Sequence, residues 1–170
     1  MESSRPQLLI LADAPDALCP LFGISLVERL LRIVQRLGFR KAVIISDSEA
    51  VAAHLTTPSW ARAGVALSFH RKNAEAVSVS EISADFDRAL VVSAGFYYDA
   101  RLLKALAEQK ATTVLVDSAP PPDCARLWRN ESRASGVAAL LDRDWLSQRD
   151  QIVPLFNQLE ADVAAGKIET

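Results

Sequence analysis

The stretch QLLILADAPDALCPLFGISLVERLLRIVQRLGFRKAVIISD, Gln7 to Asp47, decides the fold. It opens with an apolar run, Gln7–Ala12, and closes with a second, Lys41–Ile45, rich in β-branched residues. Continuous apolar runs of this length suit parallel strands covered on both faces. Between them, Ser25–Leu37 has helical periodicity, with Leu26, Val27, Leu30, Leu31, Val34 and Leu37 on one face. Ser25-Leu-Val-Glu28 reads as a capping box, in which the serine hydroxyl accepts from the Glu28 amide and the carboxylate reaches back. Glu28 and Arg32 make a favourable i, i+4 pair, and Gly38 stops the helix in a left-handed conformation. The loop Asp13–Gly23 falls where a mononucleotide-binding fold holds phosphate, but it lacks most of the glycines and all of the cations such a loop uses.

Working outward, the same alternation continues. Asp47 or Ser48 caps a short helix with Val51, Ala52 and Leu55 inward, ended by Thr57-Pro58. Val65–Phe69 is a third strand, and Ser78–Glu81 is a second capping box before a short helical stripe. Arg88–Ser93 is a fourth strand. A helix capped by Asp99 follows, with Leu102, Leu103 and Leu106 inward. Thr112–Val116 and Gly136–Leu141 are strands, Cys124–Trp128 is a weaker one, and the last helix spans about Asp150 to Ala165. Such alternation predicts a three-layer α/β/α fold with a mostly parallel, Rossmann-like sheet. Ligands in such sheets bind at the carboxyl ends of the strands. Asp13–Gly23, Ser46-Asp47, Arg71–Asn73 and Ser93–Tyr98 therefore share one rim.

Composition narrows the function classes. The chain has 170 residues, half of them hydrophobic, which suits one domain over residues 1–170 with a continuous core. It could equally be the N-terminal part of a longer chain. The net charge of −2 gives no bulk attraction for nucleic acid. The two cysteines, Cys19 and Cys124, have no metal-ligand spacing and imply a reducing, cytoplasmic setting. No run approaches the roughly 18–20 apolar residues that span a bilayer.

Leu8–Ala12 followed by Pro20-Leu-Phe-Gly-Ile-Ser-Leu-Val-Glu-Arg-Leu30 resembles the opening of nucleotidyltransferases with a glycosyltransferase-A-type fold. The nearest likeness is to sugar-phosphate and inositol-phosphate cytidylyltransferases. Val91-Val-Ser-Ala-Gly-Phe-Tyr-Tyr-Asp-Ala-Arg-Leu-Leu103 is similar to the strand that carries their metal-binding Asp, and Ala134–Leu141 to a later strand that returns to the site. The resemblance implies a nucleotide-diphospho-sugar-transferase-like fold. It places nucleotide or substrate contacts at Ala12, Asp13, Asp16, Asp47, Arg71, Lys72, Ser93 and Gly95.

The departures fall on the chemistry. Asp13-Ala14-Pro15 stands where the family's phosphate loop needs glycine, Cys19 where it has lysine, and Gly95 where it has the metal-holding Asp. Nucleotidyl transfer needs Mg²⁺ and cations against the developing phosphate charge. Losing one such donor costs about 2.7–4 kcal/mol. The expectation is a catalytically degenerate domain with no catalytic residues and no cofactor. It would have a structural, dimerising or regulatory role as a homo-oligomer or beside a partner enzyme domain. Similar domains continue into membrane-embedded CDP-alcohol phosphatidyltransferases, which would place this chain at the cytosolic face of a membrane in phospholipid biosynthesis. The alternative is an active Mg²⁺-dependent nucleotidyltransferase using Asp13, Asp16 and Asp47 for metal and Arg71 or Lys72 for phosphate. A flavodoxin-like receiver is weaker, since no Asp and Lys pair stands at the required strand ends.

Other residues carry two readings each. Asp13 and Asp16 around Pro15 are a metal pair or an ordinary turn. Cys19 is a nucleophile or, more simply, a buried thiol. His70, Arg71 and Lys72 contact an anion or form a solvated strand end. Phe96, Tyr97 and Tyr98 stack on a base or pack the following helix. Arg126, Arg129 and Arg133 bind phosphate or line a solvated edge, and Trp145 with Leu146 meets a partner or buries the start of the last helix.

Overall fold

The computed structural model describes residues 5–12, 16–56, 64–71, 87–117, 134–148 and 155–168. The strands are β1 (Gln7–Leu11), β2 (Pro20–Leu21), β3 (Ile24–Ser25), β4 (Lys41–Ile45), β5 (Ala66–His70), β6 (Arg88–Ser93), β7 (Thr113–Asp117) and β8 (Ala134–Asp142). The helices are α1 (Leu26–Arg36), α2 (Glu49–Leu55), α3 (Ala100–Glu108), α4 (Arg143–Ser147) and α5 (Leu155–Ala164), with a 3-10 turn at Asp16–Leu18. Among the described residues none of the helices is long and apolar enough to cross a membrane.

The main sheet has the order β5-β4-β1-β6-β8-β7. β1 pairs in parallel with β4 and β6, and β4 with β5. β8 lies between β6 and β7 and runs against both. The sheet is therefore mostly parallel with one reversed strand. Reading the chain in order does not reveal that β8 inserts before β7, because strand order depends on long-range pairing.

Strand alternation builds the three layers. On one face Leu8, Ile10, Ile44, Leu90, Val92 and Leu140 pack with Leu30, Leu31 and Val34 of α1, Val51 and Leu55 of α2, and Leu103 and Leu106 of α3. On the other, Leu9, Ile45, Val91 and Leu141 pack with Trp145, Leu146 and Leu159. Each fully buried aliphatic side chain contributes about 1.5–3 kcal/mol, so strands covered on both faces dominate the core.

Most local signals in the first unit act as read. Ser25 Oγ accepts from the Glu28 amide at 3.3 Å, but the Glu28 carboxylate pairs with Arg32 and not with the Ser25 amide, so only one arm of the expected capping box forms. Gly38 has φ +89°, and the Gly38 and Phe39 amides donate to Gln35 and Val34, closing a Schellman motif. Ser48 is the N-cap of α2, though its side chain makes no capping bond. Leu102 departs from expectation: it is 49% exposed, because α3 turns only Leu103 and Leu106 fully into the core. The Ser78–Glu81 stripe, Thr57-Pro58, Cys124–Trp128 and the start of the last helix lie outside the described residues.

Sequence reasoning missed a small hairpin. β2 and β3 pair antiparallel around a two-residue turn, Phe22 at φ 49° and Gly23 at φ 76°. Positive φ at both positions defines a type I′ turn, which Gly23 suits and Phe22 does not. Arg29 braces it: Nε donates to the Leu21 carbonyl at 2.9 Å, and the guanidinium lies 5.8 Å from the Phe22 ring centroid.

Candidate functional site

The rim forms where β1, β4, β5 and β6 end. The Ala12 amide donates to the Ile45 carbonyl at 3.0 Å, Ala94 to Leu11 at 2.8 Å, and Ser46 to His70 at 3.1 Å. These bonds hold the loops after β1, β4 and β6 at one level, as open parallel sheets require. Ala12 and Ala94 are fully buried, so small side chains let the loops leave the sheet side by side.

Above them, the 3-10 turn led by Asp16 crosses toward β6. A Cβ built on Gly95 would lie 3.0 Å from Asp16 Cβ and 3.8 Å from its Oδ2. The carboxylate of the β1 loop thus stands against the position where the resemblance puts a metal-holding Asp. Asp16 and Asp47 are both exposed. Ser46 is buried and its Oγ accepts from the Ser48 amide at 3.1 Å, which turns the chain from β4 into α2.

The remaining sequence-nominated residues spread along this edge. Ser93 ends β6, and its carbonyl accepts from the Tyr98 hydroxyl at 2.8 Å. Tyr98 is buried, which pushes its phenol pKa well up and keeps it neutral. Phe96 packs against the core, so two of the three aromatics fold back on the scaffold, whereas Tyr97 is 64% exposed. Asp99 caps α3 by accepting from the Arg101 amide at 2.8 Å. The Arg101 side chain, then its backbone amide, holds the Asp99 carboxyl down at about 2. Arg71 is exposed and sits 3.8 Å from Glu49 Oε1, a loose surface pair. Asp13 and Lys72 lie outside the described residues, as do Arg126, Arg129 and Arg133.

Cys19 corrects the buried-thiol reading: it is exposed. Its amide donates to the Asp16 carbonyl at 3.0 Å and its carbonyl accepts from Leu26 at 3.1 Å, so its backbone bridges the 3-10 turn and α1 while the residue stays at the surface.

His54, on α2, places its Nε2 2.8 Å from Ser25 Oγ. The cap of α1 is thereby tied to α2. Neither local spacing nor composition signals this pairing, since the two residues meet only across the packed helices.

Among the described residues no three His, Cys, Asp or Glu side chains converge as metal ligands. Mg²⁺ demands near-octahedral oxygen coordination, of which Asp16 and Asp47 would be at most a partial set. In the described parts of these loops, Asp16–Gly23, Ser46–Ser48 and Ser93–Tyr98, no lysine or arginine occurs. Arg71, exposed just after β5, brings a cation to this rim, while Asp16 and Asp47 bring carboxylates and the described loops after β1, β4 and β6 add no further cation.

This arrangement of layers and strand-end loops is a nucleotidyltransferase-like fold. A structure assigned as a glucose-1-phosphate thymidylyltransferase of Bacillus anthracis, in complex with sucrose, superimposes with a TM-score of 0.66 at 12% identity, covering 96% of this chain and 85% of that one. UDP-glucose pyrophosphorylase complexed with UDP-glucose gives 0.59 at 10% identity, covering 83% and 77%. HddC from Yersinia pseudotuberculosis gives 0.57 at 9%, covering 84% and 79%. No protein-family model and no curated protein sequence matches the chain.

Proposed function

We propose that this chain is a catalytically degenerate nucleotidyltransferase-like domain that works by interaction, with a structural, dimerising or regulatory role. Its partner is a second copy or an enzyme domain of CDP-alcohol and phospholipid head-group metabolism. It works in the cytoplasm, at the cytosolic face of a membrane when that partner is a membrane enzyme. One observation carries the reading: Gly95 stands on the rim where the resemblance puts a metal-holding Asp, and among the described residues Asp16 is joined there by no further pair of metal-ligating side chains. Calorimetric titration with CTP, ATP and GTP in the presence of Mg²⁺ tests it. No binding heat is expected, and micromolar binding with pyrophosphate release would overturn it.

A second reading keeps activity: an NTP-dependent nucleotidyltransferase acting on a phosphorylated sugar or polyol, with a rearranged site. The position of the Asp16 carboxylate, 3.8 Å from where a Gly95 Cβ would be, favours it. On that reading Asp13→Ala and Asp16→Ala abolish turnover without moving the melting temperature, and wild-type protein releases pyrophosphate.

A further inference from the structure

The end of the sheet opposite the rim holds a cavity of about 470 Å³. That volume lies in the range of small-molecule sites. Arg5, just before β1, and Arg88, at the start of β6, reach it from the strands. Arg36 reaches it from the last turn of α1 and Lys104 from the middle of α3, the two helices whose N-caps stand at the rim. Among the described residues that line it, four cations thus face one carboxylate, Glu108, in a chain whose net charge is −2. The floor is apolar: Pro6, Leu37, Phe39 and Ala107.

Capping accounts for part of this charge. Arg5 donates to the Gly38 carbonyl and Arg88 to the Gln109 carbonyl, at the C-terminal ends of α1 and α3, where the helix dipole favours cations. The Arg5 guanidinium has five N–H groups, so its bond to Gly38 leaves most of its donors over. Lys104 lies 3.9 Å from Glu108, a loose pair on the surface. Arg36 makes no hydrogen bond or ion pair with a described residue. Arg5 lies directly over Gly38, where a Cβ would displace its guanidinium and where φ +89° already favours glycine. Clustering like charges is unfavourable without an anion between them.

We propose that this cavity binds a phosphate monoester carried on an apolar or ring-shaped body. A dianionic phosphate matches the excess positive charge and the planar forks of the arginines. A bare ion would leave the apolar floor uncovered, so the ligand has an organic part. Its source is a soluble phosphate ester or a lipid headgroup. The site stands at the far end of the sheet from Asp16 and Gly95 and is independent of what the rim does.

Binding of phenyl phosphate, inorganic phosphate, and phosphatidylcholine vesicles with and without phosphatidic acid to the full chain tests it by calorimetry and vesicle co-sedimentation. Phenyl phosphate is expected to bind more tightly than inorganic phosphate, or phosphatidic acid to be required for vesicle binding. The first result identifies a soluble ester and the second a lipid. In either case Arg36→Glu and Lys104→Gln each weaken binding by about tenfold or more, and both side chains are exposed, so the fold is kept. Asp47→Asn, on the rim, leaves the affinity as it is. The proposal fails if neither ligand binds, if the two cavity variants bind like wild type, or if Asp47→Asn changes the affinity.

Discussion

Asp16 stands against Gly95: a Cβ added to the glycine would meet Asp16 Cβ at 3.0 Å. Two loops that leave neighbouring strands therefore touch at a position that admits no side chain without a shift. Gly95→Ala should cost on the order of 1 kcal/mol, and Gly95→Asp about 1–3 kcal/mol, because it adds bulk and a like charge. Removing Asp16 should relieve most of the second penalty. A denaturant double-mutant cycle over Gly95→Asp and Asp16→Gly, which removes the contacting Cβ as well as the charge, checks this, and additive effects would show that the contact is not felt.

Phe22 occupies a left-handed position at the tip of the β2–β3 turn and is 90% exposed. Such a conformation costs a bulky L-residue about 1–2 kcal/mol. Its stacking with Arg29 returns only about 0.5–1 kcal/mol at an exposed site. Phe22→Asn, which creates the Asn-Gly pair that type I′ turns prefer, should stabilise the protein by up to about 1 kcal/mol. A lower midpoint in urea for the variant would show that the ring does more than this turn reveals.

Asp142 joins three elements. Its Oδ1 accepts from the Trp145 amide at 2.8 Å and caps α4, its Oδ2 accepts from Thr112 at 2.9 Å, and its amide donates to Thr112 Oγ1 at 3.1 Å. Asp142→Ala loses a cap and leaves the amide of buried Thr112 without its acceptor, so a loss of about 2–3 kcal/mol is expected. Asp142→Asn keeps an acceptor and should lose less. Near-ultraviolet circular dichroism of Trp145, whose Nε1 donates to Asp162 Oδ2 at 3.2 Å across to α5, reports whether α4 stays docked.

The Asp99 carboxyl is held at about 2, below its ordinary 3.8, chiefly by the Arg101 side chain and then by the Arg101 amide. A depressed carboxyl pKa stabilises the fold above the unfolded value, and that contribution disappears as pH falls through the folded value. The stabilisation from this cap should therefore be complete above about pH 4 and fade toward about pH 2. Arg101→Ala should raise the Asp99 pKa toward 3.8, as read from its carboxyl shift in an NMR titration. An unchanged value would mean that the amide alone sets it.

What sequence alone determined is local. β4 and β6 have the predicted bounds, β1 ends one residue early, and α1 is one residue shorter at each end. The Ser25 and Asp99 caps, the Glu28–Arg32 pair and the Gly38 stop are all present. Each rests on periodicity or capping within a few residues, which the chain encodes wherever it lies. The rim was legible as well, because strand ends follow from strand positions.

Tertiary structure decided which distant residues meet. It put β8 between β6 and β7, brought His54 to the cap of α1, set Asp16 against Gly95, and gathered Arg5, Arg36, Arg88 and Lys104 around one cavity. Cys19 became a surface residue for the same reason, since the hairpin beside it exists only when β2 and β3 pair. Such juxtapositions depend on the order and direction of strands, which arise from packing of the whole sheet, and no window of a few residues contains them.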